Sequence, residues 1–458
     1  MGLLSRLMRP RFWIPSAGLA FSATTLIVFS MLGWSLLIAL LVILMVALVV
    51  VIVLLMRQMR AAKASEEIET TITRQADRDI ERSVPGQAAE METMKADLLS
   101  ALDALKRSKL ARKGGTAALA KLPWYMLVGP PDSGKSTLVT HSDLHFALTD
   151  ERQAPRSVRG VGGTRSFEWW LSEEAVLLDM PGRRLTTADF EDNDDWFAFL
   201  ATLRKQRKQK PINGVIVTVG LDQLGSRNDT EVDELGRRVR ARVQELVEHL
   251  GVVFPIYVVF TRADRIAGFA EHFSDLNAAD RRQPWGATLP VERARAESAE
   301  VMFDAEFDLL LGAIAERRLQ RLADVPDAGQ RARAFAFPLQ LERLRPALRR
   351  FLRVLFQPDP TKEAPLFRGF YLASAEQSGT PLDRVLKPTA QALGVAIDEA
   401  AAPPLGDGAG FVQELFRRVV FPDAALAAAS TQEEARRHRT RVALFIGLGV
   451  VCVTLAVM

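Results

Sequence analysis

Gly129-Pro130-Pro131-Asp132-Ser133-Gly134-Lys135-Ser136 follows the apolar run Trp124-Tyr125-Met126-Leu127-Val128 and leads into Thr137-Leu138-Val139. The order is a short buried strand, a glycine-bearing loop and a helix start. In that setting glycines let backbone N–H groups turn towards phosphate oxygens, and the helix N-terminus adds partial positive charge. Lys135 is then spaced to reach β and γ phosphates, and the Ser136 hydroxyl to ligate Mg²⁺. The same string without a ligand is a plain glycine-rich turn, so its surroundings must decide between the two.

Ala175-Val176-Leu177-Leu178-Asp179-Met180-Pro181-Gly182 supplies a second element. An apolar strand delivers Asp179 to the end of a sheet, where it can hold Mg²⁺ through water. Gly182, three residues on, can present its amide to a γ phosphate. Thr164, in Gly160-Val161-Gly162-Gly163-Thr164-Arg165, stands where a third Mg²⁺ ligand would cap the ion. Ser136, Thr164 and Asp179 are thus the candidate metal set, and Lys135, Asp179 and Thr164 the candidate catalytic one.

A third element concerns the base. Ile256-Tyr257-Val258-Val259-Phe260 reads as a strand running into Thr261-Arg262-Ala263-Asp264. An Asp at that strand end can accept two hydrogen bonds from guanine, with the stem of the preceding basic residue covering the ring. Alternatively, Asp264 caps the next turn. Gly369-Phe370-Tyr371-Leu372-Ala373 reads as a last strand leading into Ser374-Ala375, which resembles the Ser-Ala base-contact loop of GTPases. The cofactors implied are Mg²⁺ and GTP or ATP, with the choice of nucleotide open.

The elements that must position these residues can be read from periodicity. Phe167–Leu171 and Val176–Asp179 flank a short turn and read as an antiparallel hairpin. That arrangement is typical of Ras-like GTPase sheets and unlike kinases or ABC ATPases. Trp169 and Trp170 read as sheet packing. Gly214–Val219 reads as another buried strand. Residues 229–250 read as a helix with Val232, Leu235, Val239, Val243, Leu246 and Leu250 on its buried face. A capping box at Thr230 and Asp233 opens it and Gly251 ends it. The fold class expected is an α/β P-loop NTPase with a Ras-like sheet, an all-α insertion and transmembrane helices. Its core would span 121–275 and be completed by 366–385. The insertion would span 276–365, with helices over Glu300–Leu322 and Leu339–Phe356, and a helical extension would follow over 386–440. The acidic run Asp189–Asp195 and the basic run Arg204–Lys210 suit the two ends of one helix. Binding of anionic lipid by the basic run is the alternative.

Residues 12–56 are almost uncharged, too long for one straight span and well suited to two, over 12–31 and 35–56. Arg6, Arg9 and Arg11 before them, and Arg57, Arg60 and Lys63 after them, put both ends in the cytoplasm. A third apolar run, Val442–Met458, follows Arg436, Arg437, Arg439 and Arg441 and gives a third span over 441–458. The region 57–440 is therefore expected in the cytoplasm. Its first part, 57–120, reads as a polar linker followed by a helix with Met94, Leu98, Leu99, Leu102 and Leu105 on one side. The net charge of +4 gives no pointer to nucleic acid, and the single cysteine, Cys452, excludes an internal disulfide framework. His141 and His145 have ligand-like spacing, but no third ligand is visible.

Together these residues resemble the IcmF/TssM family, the inner-membrane component of type VI secretion systems. The resemblance runs through the double-span N-terminus, Leu122-Pro123-Trp124-Tyr125, Trp169-Trp170 and Gly182-Arg183. It continues through Thr261–Asp264 with Gly268-Phe269, Trp285-Gly286, Arg368-Gly369-Phe370-Tyr371 and Gly379-Thr380-Pro381. It implies a multi-pass protein of the bacterial inner membrane, self-assembly, and a TssL-type membrane protein as partner. It also implies a TssJ-type lipoprotein met through a periplasmic region after residue 458, and a cytoplasmic face towards the secretion baseplate. Met180-Pro181 replaces the family's more usual Thr-Ala, and Arg262 its usual Lys. Where some GTPases carry a water-orienting Gln, directly after the Asp-x-x-Gly glycine, this chain has Arg183. A nucleotide-binding component with slow or partner-stimulated hydrolysis, a turning-over NTPase and a vestigial scaffold all remain as readings.

Overall fold

The computed structural model describes residues 122–147, 155, 157–159, 168–185, 191–207, 210–359, 361–374 and 410–430, with Leu44. The chain divides into two units, Met1–Ser65 and Glu66–Met458, and every described residue but Leu44 lies in the second. The expected spans over 12–31, 35–56 and 441–458 and the segment 57–120 fall outside the described residues, Leu44 apart. Among the described residues no helix is long and apolar enough to cross a membrane.

Eight strands form one sheet. They are β1 (Trp124–Val128), β2 (Val158–Arg159), β3 (Glu168–Leu171), β4 (Val176–Asp179), β5 (Gly214–Gly220), β7 (Pro255–Thr261), β8 (Trp285–Thr288) and β9 (Leu366–Leu372); β6 (Val252–Val253) pairs elsewhere. The spatial order is β2-β3-β4-β1-β5-β7-β9-β8. The run from β4 to β9 is parallel, β3 and β8 join it antiparallel at the two edges, and β2 pairs antiparallel with β3 outside it. The hairpin read from Phe167–Asp179 is thus β3 and β4, with Trp169 opposite Leu178. Every residue of β1, β5 and β7 is buried, as expected of parallel strands covered on both faces.

Alternation along each strand makes two cores. Trp124, Met126, Val128, Val215, Val217, Val258 and Phe260 face one of them. The helices covering that side are α2 (Glu191–Gln206), α3 (Asp229–Leu250), α4 (Ala299–Asp324), α5 (Ala328–Glu342) and α6 (Arg345–Leu355), which follow α1 (Lys135–Thr140) in the chain. Tyr125, Leu127, Ile216, Tyr257 and Val259 face the other side, under Leu138 and Val139 of α1 and under Val412, Leu415, Phe416 and Val420.

Four details depart from the sequence reading. The cap of α3 is Asn228 rather than Thr230. Asn228 Oδ1 accepts from Glu231 N at 3.0 Å, and Glu231 Oε2 accepts from Asn228 N at 2.9 Å. Asp233 instead takes Arg350 Nε and Nη2, each at 2.7 Å. The expected helix Leu339–Phe356 is two helices, because Pro346 starts a new one in the first turn of α6. The insertion is not wholly helical, since Trp285–Thr288 adds strand β8 to the sheet edge. Finally, 410–430 is no regular helix. It is a strap of short turns, Phe416–Val420 and Pro422–Ala425, ending in β10 (Ala428–Ala429) paired with β6.

The insertion packs on Phe269, Phe273, Trp285, Phe337 and Phe411, whose rings meet at 5.0–6.3 Å. His272 lies among them, and burial first, then Arg317 and Arg321, hold its imidazole down at about 4, with Asp275 opposing. The unfolded imidazole, at 6.5, takes its proton first. Stability present above pH 6.5 is therefore lost as pH falls towards 4, by up to about 3 kcal/mol. His272→Leu should flatten that slope in denaturant titrations between pH 7 and 4. An unchanged slope would refute the assignment.

Candidate nucleotide-binding site

The parallel strands all end at one pole of the sheet, and the motif residues follow those ends. Between β1 and α1 the loop turns through left-handed conformations at Asp132 (φ 55°) and Gly134 (φ 76°). The Gly134 carbonyl then accepts from Leu138 N at 2.8 Å, which starts the helix on Lys135. The Lys135 ammonium is buried and curls back to donate to Gly129 O at 3.0 Å and Pro130 O at 3.1 Å. Burial lowers its pKa, against the attraction of Asp179, Asp132 and Glu168.

Two glycines are sterically required. A Cβ at Gly129 would stand 2.3 Å from Thr218 O, and one at Gly182 would stand 2.3 Å from Pro131 N. The second element therefore rests directly on the first loop. Neighbouring strand ends buttress it as well. Thr261 Oγ1 donates to Ser133 O at 2.7 Å, Ser133 Oγ and Thr218 Oγ1 share a bond of 2.9 Å, and Gln223 Nε2 donates to Pro131 O at 2.8 Å. Sequence reasoning missed Thr218 and Gln223. A lone hydroxyl inside the apolar run Gly214–Gly220 was the available signal for Thr218.

Asp179 is buried at the end of β4. Its Oδ2 accepts from Ser136 Oγ at 2.9 Å, while its Oδ1 is buried with no hydrogen-bond partner. Burial pushes this carboxyl up to about 6, Lys135 and Ser136 pull it down, and Glu168 adds to the rise. A buried carboxylate oxygen without a partner is costly. A carboxylate and a hydroxyl side by side are hard oxygen donors of the kind Mg²⁺ takes with retained water. The residues present fit that ion. Thr164, the third expected ligand, lies outside the described residues, as does Ala375.

At the next strand ends, Asp264 and Ser374 come together although 110 positions separate them, with Ser374 Oγ donating to Asp264 Oδ1 at 2.7 Å. Ala263 N donates to Ala373 O at 3.1 Å, fixing the two loops to each other. Burial raises the Asp264 pKa, with the Ser374 bond opposing. Arg262 adopts φ 60°, and its guanidinium goes to Asp222 Oδ2 at 3.0 Å, which also takes Arg265 at 2.6 Å. Arg183 is the second residue of the turn Gly182–Leu185. His141 and His145 do not converge. The ring of His141 meets Thr137 O at 2.9 Å, and that of His145 meets Arg417 at 3.1 Å and Glu174 at 3.7 Å.

Known proteins overlap this chain in two ways. A signal recognition particle receptor SRb-GTP/SRX complex from Chaetomium thermophilum covers 31% of this chain and 71% of its own at 16% identity, with a TM-score of 0.20. An S. thermophilus NFeoB mutant bound to GDP covers 51% and 89% at 12% identity, with a TM-score of 0.22. Overlaps that slight carry no weight beside the strand order itself. The sequence relationships are much closer. The IcmF-related N-terminal domain matches residues 190–448. Type VI secretion system component TssM1 of Pseudomonas aeruginosa is 40% identical over 356 residues, which are 76% of this chain and 32% of that protein. The chain spans about a third of the length of that curated relative. A domain match over more than half the residues, joined to this level of identity across three quarters of them, leaves one assignment: the chain belongs to the IcmF/TssM family.

Proposed function

We propose that this chain is the membrane-anchored cytoplasmic part of a type VI secretion membrane complex in the bacterial inner membrane, and that it binds a nucleoside triphosphate with Mg²⁺ as a switch or assembly element. The observation carrying the nucleotide reading is the partnerless, buried Asp179 Oδ1 beside Ser136, under a glycine-bearing loop. Gly129 to Thr137 wrap the phosphates through backbone N–H groups and the start of α1. Lys135 leaves its loop carbonyls for the β and γ phosphates. Ser136 and Asp179, with Thr164, hold Mg²⁺, which when bound offsets phosphate charge. Gly182 offers its amide to the γ phosphate, so the turn Gly182–Leu185 responds to its presence.

Thr261, Arg262, Asp264, Ser374 and Ala375 form the base pocket, and the Asp264 carboxylate held by Ser374 suits a guanine edge. Arg183 in place of a water-orienting Gln favours a holder of nucleotide with slow or partner-stimulated hydrolysis over a fast NTPase. A TssL-type protein, a TssJ-type lipoprotein, the baseplate and further copies of the chain are the proposed partners, reached through the family relationship.

Base choice has its own test. Asp264→Asn should weaken Mg²⁺-GTP binding by about tenfold or more, the scale of a lost charge-assisted hydrogen bond, and leave Mg²⁺-ATP within about twofold. Matched calorimetric titrations of the full chain measure both. An equal loss for the two nucleotides would remove the guanine reading.

A further inference from the structure

The nucleotide site occupies the pole where the parallel strands end. At the opposite pole, where they begin, the chain arrives and leaves. Leu122 enters β1 there, with Trp124 N donating to Asn213 Oδ1 at 2.9 Å. The strap starts at the nucleotide pole, where Gly410 and Ser374 exchange backbone bonds of 2.6 and 3.0 Å. It crosses the second face of the sheet and takes the Tyr125 hydroxyl on Val420 O at 2.8 Å. It finishes at the starting pole, where Asn213 Nδ2 donates to Ala424 O at 2.8 Å and Ser430 N to Gly251 O at 3.0 Å. Val442, the first residue of the last apolar run, is twelve positions beyond Ser430, a reach of at most about 40 Å.

The starting pole is also where the basic run lies. Arg204, near the end of α2, donates to His249 O at 3.1 Å, and Lys210 donates to Ala425 O at 2.8 Å, beside the strap. Lys205 is exposed on the same helix end. Three carboxylates around this pole are matched, Glu248 by Lys362, Glu245 by Arg242 and Asp423 by Arg368. The sequence adds Arg436, Arg437, Arg439 and Arg441 between the strap and the apolar run. At the nucleotide pole Asp132, Asp229 and Glu231 are exposed, Asp229 paired with Arg350 at 2.7 Å, and Arg262 and Arg265 are both held by Asp222.

We infer that the starting pole of the sheet, centred on Lys205, Lys210 and the strap end at Ala425–Ala429, docks on the anionic phospholipid surface of the membrane that holds the chain. The nucleotide site then faces away from the bilayer. The strap becomes a covalent path to the membrane-side pole from Gly410, which is backbone-bonded to Ser374, the hydrogen-bond partner of Asp264. This inference rests on the membrane-anchored reading above. The surface potential of an anionic leaflet fades within about 8–10 Å. The seven-residue strands β5 and β7 separate the poles by about 20 Å. Only one pole can feel that potential.

The test uses the full chain in a Cys452→Ala background, in nanodiscs of phosphatidylcholine alone or with phosphatidylglycerol. Fluorophores are placed at Ala428→Cys or, at the nucleotide pole, Ser226→Cys, and lipids carry a headgroup quencher. The label at 428 should be quenched at least about threefold more than that at 226, and more strongly in the anionic discs. Lys205→Glu, alone or with Lys210→Glu, should remove at least about half of the anionic increment. Equal quenching at both sites, stronger quenching at 226, or quenching indifferent to lipid charge and to Lys205→Glu would overturn the inference. Carbonate extraction run alongside separates the two readings. Release of the chain would overturn the membrane anchor and this inference with it, whereas retention with a failed quenching pattern would overturn this inference alone.

Discussion

Lys135→Ala is expected to lower affinity for Mg²⁺-nucleotide by about a hundredfold, or about 2.7 kcal/mol, while leaving the unliganded fold as stable as before or slightly more so. The two effects separate because the ammonium has different partners in the two states. In this structure it is a buried cation satisfied by two loop carbonyls, Gly129 O and Pro130 O, with its pKa lowered by desolvation. Truncating it removes a desolvated charge, and that gain offsets the attraction lost to the neighbouring Asp179. Against phosphate, on the proposed reading, the same ammonium would make charge-assisted contacts that nothing nearby replaces. Melting curves with and without Mg²⁺-nucleotide measure both effects. Wild type should shift upward with ligand, and Lys135→Ala should not. A variant that melts far below wild type without ligand would make Lys135 a structural residue.

Gly182→Ala should act on the fold and the site together. The added methyl would meet Pro131 N at 2.3 Å and both Pro130 C and Pro131 Cα at 2.6 Å. These are backbone atoms of a proline pair, which cannot swing aside as a flexible side chain would. Either the Gly182–Leu185 turn lifts or the phosphate loop distorts. Overpacking of this kind costs about 2–3 kcal/mol, which corresponds to a drop of about 5–10 °C in melting midpoint. Any preference for triphosphate over diphosphate should disappear with it, since the amide meant for the γ phosphate is displaced. Unchanged melting and unchanged discrimination would show that the two elements move independently.

How much of this was legible in the residues depended on whether the signal was local. Strand, loop and helix around Gly129–Ser136 announced themselves because periodicity and glycine placement are properties of short windows. The same holds for Asp179 at the end of β4 and for Gly251, which closes α3 in the left-handed conformation at φ 65°. The meeting of Asp264 with Ser374 was readable only as two strand-end loops of base-contact type, because no local pattern ties residues so far apart. The Gln223–Pro131 and Thr218–Ser133 bonds carried no such prompt. Asn228 and Thr230 both sit where a cap can form, and only the observed start of the helix chooses between them. Strand β8 is four residues containing a glycine, too short for alternation to register. The strap 410–430 escaped for a different reason. It covers the second core with irregular turns whose backbone groups find partners on the sheet, such as Val420 O under Tyr125, so neither period appears in its sequence.

The most direct test of the nucleotide site is equilibrium binding of GTP and ATP to the full chain, with Mg²⁺ and after its removal by chelation, in wild type and Asp179→Ala. The site as described gives saturable binding of one nucleotide per chain, with GTP preferred. Binding should be strongly weakened by chelation or by Asp179→Ala, and reduced as pH falls through about 6, where Asp179 takes up its proton. Absence of binding by either nucleotide up to millimolar concentration would contradict it and leave the sheet as a scaffold alone.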